Sequence, residues 1–414
     1  MLNIYKFLTY LLKLNLPILL FIPKIKSFIK KREKSLNSIL ELSFSTKKVY
    51  WLHGASVGEL DQCKSLARVI REKEPDVFIL QSVFSESVSE KNLADPSINA
   101  FFFLPLDFPN SYDKIFLKFQ PSALFLAAWD TWPNLLISAN KFNCKSYLFC
   151  ATMNENSGRN KGLARLLSRK TFPLLSGISP THKIYEKVFL DLSSKKVPIH
   201  TCGDSRFDSV VEKIKSNQIL PDFQKKIPNT LPQLLILGST YEACDLIWFP
   251  ILQDLLNQGI HIWIFPHKID EKRISFIIQQ LQKLNLSYSL YSGSEQISNL
   301  CIFDAIGLLA YAYQYASFVY VGGALHNRVH NVIEPAYFGM PIFTGPKIEN
   351  ASEAMTLEKL GALFRFTNIS DLKQKFIPLI GNEEKRLELG KIARNFVTEN
   401  TGASERFYNI FLKK

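Results

Sequence analysis

The stretch Val319-Tyr320-Val321-Gly322-Gly323, followed by His330-Asn331-Val332-Ile333-Glu334-Pro335 and by Gly339-Met340-Pro341, decides the fold class. Three β-forming residues before two glycines predict a buried strand that ends in a tight turn. The polar residues that follow predict a helix that starts near Asn331 and stops at Gly339. A strand, a glycine turn and a helix in this order are typical of the carboxyl edge of a parallel sheet, where open α/β folds bind their ligands.

The start of this predicted helix suits two different roles. Unpaired backbone N–H groups there would bind a phosphate, and Glu334 can accept hydrogen bonds from two ribose hydroxyls. The same glutamate is also explained as a first-turn acid that the helix dipole favours. On this segment alone, a nucleotide-sugar site and a purely structural helix start remain open alternatives.

Length and charge limit the class of protein. A chain of 414 residues exceeds one ordinary domain and indicates two. Lys and Arg number 50 against 37 Asp and Glu, and the net charge of +13 indicates an anionic partner: nucleic acid, a membrane surface or a phosphorylated substrate. The six cysteines form no C-x-x-C pair, which is typical of reduced thiols rather than a disulfide framework or a zinc site.

The N-terminal 34 residues combine an apolar segment with a basic one. Lys6 and Lys13 limit the longest uncharged run to 14–23, which is too short for an independent spanning helix of about 20 residues. Six basic residues follow: Lys24, Lys26, Lys30, Lys31, Arg32 and Lys34. This pattern predicts a helix in the cytoplasmic leaflet with its basic end on anionic headgroups. A helix packed on the body, a cleaved signal peptide and a span with snorkelling lysines are the alternatives.

Short apolar runs alternate with helical patterns along the rest of the chain. Runs that are apolar throughout predict strands covered on both faces, as in a parallel sheet. These runs are 49–53, 77–80, 101–104, 123–126, 146–149, 234–238, 261–265, 318–321 and 342–343. Lysines and prolines in 212–232 indicate a linker. We therefore predict a membrane-anchoring segment at 1–34 and Rossmann-like domains at 35–211 and 233–414, with a helical tail able to cross back onto the first domain.

A second polar stretch, His53-Gly54-Ala55-Ser56-Val57-Gly58-Glu59, follows the first predicted strand. Its glycines allow a tight turn and close approach of a substrate, and Glu59 opens the next helix. Ser56-x-x-Glu59 is also a capping box, and the helix dipole favours the carboxylate, which opposes a general base. Burial by Trp51, Ala55 and Val57 would raise the pKa of Glu59 and favour base chemistry. Capping and catalysis remain the two interpretations, and His53 is either a core hydrogen-bonding residue or a substrate contact.

Ten short motifs run in order through nearly the whole body of the chain. They are His53…Ser56-Val57-Gly58-Glu59, Pro105-Leu106-Asp107, Trp132-Pro133-Asn134, Gly203-x-x-Arg206-Phe207-Asp208, Ser239-Thr240-x-Glu242, Pro266-His267, Asp304-Ala305-Ile306-Gly307, Val321-Gly322-Gly323, Asn331-x-x-Glu334-Pro335 and Gly345-Pro346. In this order the chain resembles the 3-deoxy-D-manno-octulosonic acid (Kdo) transferases of lipopolysaccharide synthesis. The resemblance implies the α/β GT-B fold, in which two Rossmann-like doubly wound domains face a cleft, with an N-terminal membrane-associated helix.

The resemblance also implies roles for individual residues. Glu59 matches the general base, and Asp130 and Arg206 match groups that stabilise the transition state. The residues that match the donor-binding segments are Pro266, His267, Lys268, Gly307, Leu308, Leu309, Asn331, Val332, Ile333 and Glu334. The chain departs from the family at Ala128 and Leu308, which stand in place of acids. Arg206 replaces a lysine, and the Pro266-His267 loop lacks an arginine, for which Lys268 or Arg273 can substitute.

The implied activity is inverting transfer of Kdo from CMP-Kdo to the lipid A precursor, lipid IVA, by an N-terminal acceptor-binding and a C-terminal nucleotide-sugar-binding domain. No cofactor or metal is expected. The expected partners are the CMP-sugar donor, a phosphorylated lipid acceptor and the cytoplasmic leaflet of the inner membrane, without nucleic acid. A nucleotide-sugar epimerase, another GT-B sugar transferase with a different donor, and a non-enzymatic membrane-binding or nucleic-acid-binding protein are the alternatives. The sequence lacks the aromatic-basic interleaving of nucleic-acid platforms.

Overall fold

The computed structural model describes residues 1–45, 48–86, 88, 95–216 and 221–413, and the chain divides into two compact units. Unit 1 consists of Met1–Ser209 together with Asn400–Lys414, and unit 2 is Val210–Glu399. The predicted domain limits at residues 211 and 233 thus differ from the observed division, which falls inside a helix, Ser205–Ser216.

Unit 1 begins with three helices and continues with alternating strands and helices. The elements are α1 (Leu2–Leu14), α2 (Leu16–Leu19), α3 (Pro23–Leu40), β1 (Val49–His53), α4 (Val57–Lys73), β2 (Phe78–Val83), β3 (Ala100–Phe103), α5 (Asp113–Phe119), β4 (Ala123–Ala127), α6 (Pro133–Lys141), β5 (Lys145–Ala151), α7 (Gly162–Thr171), β6 (Gly177–Pro180), α8 (Glu186–Leu192) and α9 (Ser205–Ser216). Near the chain end, α18 (Ala403–Phe411) belongs to this unit as well.

The strands of unit 1 form a fully parallel sheet in the order β3-β2-β1-β4-β5-β6. Trp51 on β1 is paired with Leu80 on one side and Leu124 on the other, so β1 and β4 are neighbours. The connections run outward in opposite directions from this pair, which makes the carboxyl ends of β1 and β4 the topological switch point. The predicted doubly wound parallel architecture is confirmed for this half of the chain.

Buried aromatic side chains fill both faces of the sheet. Trp51 packs on Phe102 and Phe116 on one face, whereas Phe125 packs on Phe407 from α18 on the other. The backbone N–H groups at the start of α18 donate to the Asp208 carboxylate, at 2.8 Å for Ser404. Asp208, the last residue of one sequence motif, therefore caps the tail helix that covers this sheet.

Helix α3 covers the edge strand β3. The Phe103 N–H donates to Ser35 Oγ at 3.0 Å, and Arg32, only 3% exposed, lies over the Phe28 ring at 3.4 Å from its centre. Covering an edge strand in this way satisfies backbone groups that would otherwise invite pairing with another chain. Arg32 was predicted to belong to a basic tail on lipid headgroups; it is instead buried against the body, because its guanidinium finds an aromatic ring and the Phe84 carbonyl there.

Helix α1 lies against unit 1 through polar contacts and leaves its apolar side chains uncovered. The Tyr5 hydroxyl donates to Asp107 Oδ2 at 2.9 Å, and Asn134 Nδ2 donates to Thr9 Oγ1 at 3.1 Å. None of the residues of α1 is buried. Phe7 of this helix and Phe21, which follows α2, are largely exposed. Within the described part of the chain, no helix has the length and apolar character needed to cross a membrane.

Unit 2 repeats the alternation of strands and helices. Its elements are α10 (Pro221–Lys225), β7 (Leu234–Thr240), α11 (Glu242–Asn257), β8 (His261–Pro266), α12 (Glu271–Lys283), β9 (Ser289–Leu290), β10 (Leu300–Ile302), α13 (Leu309–Ala312), β11 (Phe318–Val321), α14 (Ile333–Phe338), β12 (Ile342–Thr344), α15 (Ser352–Lys359), β13 (Leu363–Arg365), α16 (Ile369–Ile380) and α17 (Glu383–Asn400).

The second sheet is also fully parallel, in the order β13-β12-β11-β7-β8-β10-β9. Its connections change direction between β7 and β11, so the switch point lies at the carboxyl ends of these two strands. The predicted linker 212–232 is largely structured where it is described, since its first residues complete α9 and Phe223 of α10 is buried against Trp263. Residues 217–220 of that prediction lie outside the described residues.

Candidate active site and donor site

Glu59 caps helix α4 at the switch point of unit 1. Its Oε2 accepts the Ala55 N–H at 2.6 Å and the Ser56 N–H at 3.2 Å, which completes the predicted capping box. A Cβ at Gly54 would lie 2.9 Å from the Glu59 backbone, so the turn requires glycine for close approach. Capping and catalysis are therefore compatible, because the second carboxylate oxygen takes no part in the cap.

The surroundings of Glu59 favour its protonated form. The residue is 9% exposed, and its pKa is raised above the ordinary value by burial and by the negative charge of Asp130. The Ala55 N–H and the Ser56 N–H oppose the increase. Burial was predicted to come from Val57 among others, but this side chain is 37% exposed. A carboxyl with a raised pKa is better matched to proton abstraction near neutral pH than an ordinary glutamate.

Asp130 lies beside a buried imidazole at the same switch point. Its Oδ2 is 3.5 Å from Nε2 of His53, whose side chain is 0% exposed. The Trp132 indole N–H points at the same Nε2 at 3.2 Å, and Nδ1 of the ring contacts Ser82 Oγ at 2.9 Å. The structure thus brings Glu59 and Asp130 together around His53, and it assigns His53 to the hydrogen-bonded core.

The loop that carries Asp130 leaves the sheet through a strained residue. Ala128 follows β4 with φ of 59°, in the left-handed region that non-glycine residues rarely adopt, and its N–H is held by the Phe149 carbonyl at 3.0 Å. Arg159 then donates to the Trp129 carbonyl at 3.1 Å and lies over the Trp129 ring. The small side chain that replaces a family acid at this position thus sits at the bend that aims Asp130 toward His53.

Arg206 is connected to this site through an acid at the start of α9. Its guanidinium contacts Asp204 Oδ2 at 2.7 Å, and Asp204 Oδ1 accepts the Gln62 side-chain amide at 3.0 Å. Gln62 lies on α4, one turn beyond Glu59. Burial opposes ionisation of Asp204, but the charge of Arg206 and these hydrogen bonds lower its pKa overall. The Arg206 guanidinium is therefore oriented by the ionised Asp204 carboxylate.

The glycine turn of unit 2 is required by close packing at the other switch point. A Cβ on Gly322 would lie 2.1 Å from the Ser239 carbonyl oxygen, and Gly323 has φ of 96°. The Gly322 N–H donates to the Gly238 carbonyl at 2.8 Å, which holds the ends of β11 and β7 together. The predicted strand and turn are thus present where the sequence analysis expected a ligand site.

Four aromatic rings gather at this edge of unit 2. Tyr241 stacks on His267, His326 and His330, with ring centres at 4.8, 5.4 and 5.7 Å, and its hydroxyl lies 3.1 Å from His330 Nε2. Burial, His267 and Arg328 lower the pKa of His330 to about 4. Burial and Lys268 lower the pKa of His267 as well. Near neutral pH the imidazoles of His267 and His330 are uncharged, so these two rings offer stacking faces and hydrogen bonds rather than positive charge.

The predicted ribose-binding helix begins later than expected. Helix α14 starts at Ile333 instead of Asn331, because Asn331 Oδ1 accepts the Ile333 N–H at 2.9 Å and holds the chain in a turn. Gly339 ends the helix in the left-handed conformation, as predicted. Glu334 lies in the first turn, with its carboxylate 3.3 Å from Lys213 Nζ. Val332 and Ile333 are buried, so only their backbone groups are available to a nucleotide.

The other predicted donor residues surround the same sheet edge. Pro266 ends β8 and is buried, whereas His267 and Lys268 are exposed beyond it. Gly307 has φ of 90°, Leu308 is buried and Leu309 begins α13. Arg273 does not substitute for the missing loop arginine, because it is buried in an ion pair with Asp245 and donates to Thr240 Oγ1 at 3.0 Å.

The described residues include no candidate metal site and no exposed cysteine thiol. No group of three or more His, Cys, Asp or Glu there is arranged to hold a metal ion. All six cysteines are buried with free thiols. Several polar residues of the two sites escaped the sequence analysis, namely Gln62, Ser82, Asp204 and Tyr241. Ser82, Asp204 and Tyr241 lie at a strand end or next to a helix start, and Gln62 lies in the second turn of α4. Such positions become informative only when the strand order is known.

One family model and several characterised proteins are similar to this chain. Residues 28–209 match the family model described as 3-Deoxy-D-manno-octulosonic-acid transferase (kdotransferase). The chain is 27% identical to a 3-deoxy-D-manno-octulosonic acid transferase of Chlamydophila psittaci over 77% of this chain and 74% of the relative. It is 24% identical to one of Haemophilus influenzae over 87% of this chain and 86% of the relative.

Solved structures agree on the fold. UDP-GlcNAc 2-epimerase from Neisseria meningitidis, bound to UDP-GlcNAc, matches with a TM-score of 0.63 and 14% identity, covering 89% of this chain and all of that one. MurG of Acinetobacter baumannii matches with a TM-score of 0.56 and 13% identity over 89% of this chain. At these identities the similarity establishes the two-domain GT-B fold alone. The family model thus matches residues 28–209, and 3-deoxy-D-manno-octulosonic acid transferases are similar to this chain over most of its length.

Proposed function

We propose that this chain transfers Kdo from CMP-Kdo to the lipid A precursor lipid IVA, with inversion at the anomeric carbon. Similarity to this family supports Kdo transfer in lipopolysaccharide biosynthesis. The observation that carries the mechanism is Glu59, a nearly buried carboxyl whose pKa is raised by burial and by Asp130 at the switch point of unit 1. A group of this kind is suited to accept a proton from a sugar hydroxyl.

The reaction requires one bond to form while another breaks. The acceptor hydroxyl loses its proton to Glu59 and its oxygen bonds to the anomeric carbon, while the bond from that carbon to the phosphate oxygen breaks. CMP leaves with the electron pair, and attack from the opposite face inverts the centre. Positive charge that develops on the sugar would be stabilised by Asp130, and negative charge on the departing phosphate by Lys268.

The donor would be held by the switch point of unit 2. Glu334 supplies acceptors for the ribose hydroxyls, and Gly322 allows backbone to approach the ligand closely. The neutral rings of His267 and His330 suit stacking or hydrogen bonding to a nucleotide. Because α14 is short, we attribute phosphate binding to Lys268 and to loop N–H groups rather than to a helix dipole.

The acceptor is proposed to reach the enzyme from the cytoplasmic leaflet of the inner membrane. Helix α1 exposes apolar side chains while Asp107 and Asn134 hold it on unit 1. The lysines on the exposed side of α3 suit the phosphates of lipid IVA and of neighbouring lipids. Apolar and basic surfaces on adjacent helices are typical of proteins that lie on a bilayer.

The test is direct incubation of the purified chain with CMP-Kdo and lipid IVA, followed by mass spectrometry of the lipid. Addition of one or more Kdo units with release of CMP is the expected result. Parallel incubations with UDP-GlcNAc alone test the epimerase alternative, and CMP-Kdo replaced by other nucleotide sugars tests donor choice. Epimerised UDP-GlcNAc, or transfer from another donor without transfer from CMP-Kdo, would contradict the proposal.

A further inference from the structure

We propose that His53 is a positioning residue that keeps the Asp130 carboxylate unpaired, because Trp132 and Ser82 hold its imidazole neutral with the proton on Nδ1. The tautomer follows from the geometry alone. Its kinetic consequence rests on the proposed function, since it requires Asp130 to act on the sugar during transfer. His53 itself does not contact the reacting atoms.

Three structural elements converge on the imidazole. His53 ends β1, Ser82 lies opposite it on β2, and Asp130 and Trp132 come from the segment after β4. Nδ1 is 2.9 Å from Ser82 Oγ, and Nε2 faces both the Trp132 indole nitrogen at 3.2 Å and Asp130 Oδ2 at 3.5 Å. Glu59 is a further acidic residue close to the imidazole.

The indole of Trp132 decides which nitrogen is protonated. An indole N–H can only donate, so Nε2 must act as the acceptor and carry no proton. In a neutral ring the proton then lies on Nδ1, which donates it to Ser82 Oγ. Ser82 Oγ also accepts the Trp51 indole N–H at 2.8 Å, and a hydroxyl oxygen has lone pairs for both donors.

The consequence concerns Asp130. Its Oδ2 is buried and has no hydrogen-bond partner among the described residues. A proton on His53 Nε2 would give this oxygen a hydrogen-bond donor, so the carboxylate would be paired with the imidazole. Because Trp132 donates to Nε2, the negative charge of Asp130 remains available to a substrate. A buried, unpaired carboxylate lowers the stability of the fold, and a bound ligand that pairs with it restores that stability.

The first experiment measures the tautomer without any substrate. Side-chain 15N shifts of His53, recorded on protein labelled at histidine and assigned by comparison with His53→Gln, should show a protonated Nδ1 and a bare Nε2. In solution the Nε2-protonated tautomer is the commoner form, so the result is diagnostic. Protonation at Nε2 in the wild-type protein at about pH 7.5 would overturn the proposal.

Two indole variants separate the inference from general packing. Trp132→Phe keeps a ring against Phe84, whose centre is 4.8 Å away, but removes the donor to Nε2. Trp51→Phe removes the other indole donor of the network and leaves Nε2 untouched. We expect the proton to appear on Nε2 in Trp132→Phe and to remain on Nδ1 in Trp51→Phe. Ser82→Ala removes only the acceptor for Nδ1 and should leave the proton on Nδ1, because Trp132 still donates to Nε2.

The kinetic arm uses the same variants. Trp132→Phe should lower kcat by about tenfold, because a proton on Nε2 then pairs with the Asp130 carboxylate. KM for the donor should stay within about twofold. Trp51→Phe should retain the wild-type kcat. A wild-type kcat in Trp132→Phe, or a tautomer that ignores the substitution, would overturn the proposal. Absence of Kdo transfer in the wild type would instead refute the proposed function.

Discussion

At the residue scale, the negative charge of Asp130 influences the ionisation of Glu59 across the end of β1. Burial and the charge of Asp130 raise the pKa of Glu59, while the helix N–H groups that it caps lower it. As a base, Glu59 must be ionised, so activity is expected to fall as the pH drops through this raised pKa. The hydrogen bonds of the cap therefore lower the pKa of Glu59 without preventing Glu59 from acting as a base.

Asp130→Asn tests this coupling. Removing the negative charge lowers the pKa of Glu59, so the acid limb of the kcat profile should move to lower pH. The maximal kcat should fall by roughly ten- to a hundredfold, because the developing positive charge loses a carboxylate. Asp113→Asn is the control, since Asp113 pairs with Lys141 on the surface of unit 1. An unshifted limb in Asp130→Asn, measured by initial rates across pH, would contradict the coupling.

Glu334→Ala tests the donor site at the same scale. Loss of two hydrogen bonds from ribose to a charged acceptor should weaken CMP binding by roughly ten- to a hundredfold. Calorimetric titration with CMP measures this directly. Glu358→Ala, which removes a partner of Arg365 elsewhere in unit 2, should leave CMP affinity unchanged. Equal CMP affinity in Glu334→Ala and the wild type would exclude the ribose role.

The helical placement of Glu59 and Glu334 could be predicted from the sequence, because a motif fixes both a strand end and a helix start, while their roles stay predictions. Glu59 follows a glycine turn closely and Glu334 comes after the Gly322-Gly323 turn and a loop, and each lies in the first turn of its helix. Ser82 and Tyr241 were missed because they reach their partners across neighbouring strands, which a linear pattern does not reveal. Arg273 was misjudged, because the sequence does not show that Asp245 would bury it in an ion pair.

At the element scale, each parallel sheet ends in a turn that only glycine can form. The Gly322 position places backbone of β11 against Ser239, which itself has a left-handed φ of 52°. The strands 49–53 and 318–321 were predicted with their observed limits, because they are continuous apolar runs. Short strands such as β6, β9 and β10 were missed, since two to four residues carry too little pattern to separate them from loops.

Gly322→Ala tests the close approach of the Gly322 backbone to the Ser239 carbonyl oxygen. A methyl group 2.1 Å from a backbone oxygen cannot be accommodated without moving a strand, so unit 2 should lose at least about 2 kcal/mol of unfolding free energy. Gly293→Ala is the matched control in the same unit, because nothing lies within 4 Å of its Cβ position. Denaturant unfolding compares the two. Similar midpoints for both variants would show that the turn tolerates a side chain.

At the scale of the whole molecule, the chain places its N-terminal helices and its C-terminal tail on the same unit. Helix α18 packs on the sheet of unit 1 through Phe407, and α1 is held by Asp107. The sequence indicated a helical tail able to cross back, but the Asp208 cap that attaches it emerges only from the structure. The segment 1–34 was predicted as one anchoring element, whereas the buried Arg32 shows that part of α3 packs on the body of unit 1.

Membrane association is tested by charge removal on α3. Replacing Lys24, Lys26 and Lys30 with serine should cost about 1 kcal/mol per lysine at an anionic surface, and so weaken binding to phosphatidylglycerol vesicles by roughly a hundredfold at low salt. The control replaces Lys187, Lys195 and Lys196, which are exposed on unit 1 away from α3. Vesicle flotation measures both. Equal flotation of the two triple variants would argue against a lipid-facing α3.

The most direct test of the central claim is the rate of Kdo transfer by Glu59→Gln, measured with CMP-Kdo and lipid IVA beside calorimetric CMP binding. Glutamine keeps an oxygen for the cap of α4 but cannot accept the acceptor's proton. We expect kcat to fall by roughly a hundred- to ten-thousandfold with the CMP affinity and the unfolding midpoint unchanged. Transfer at the wild-type rate by this variant would remove Glu59 from the chemistry.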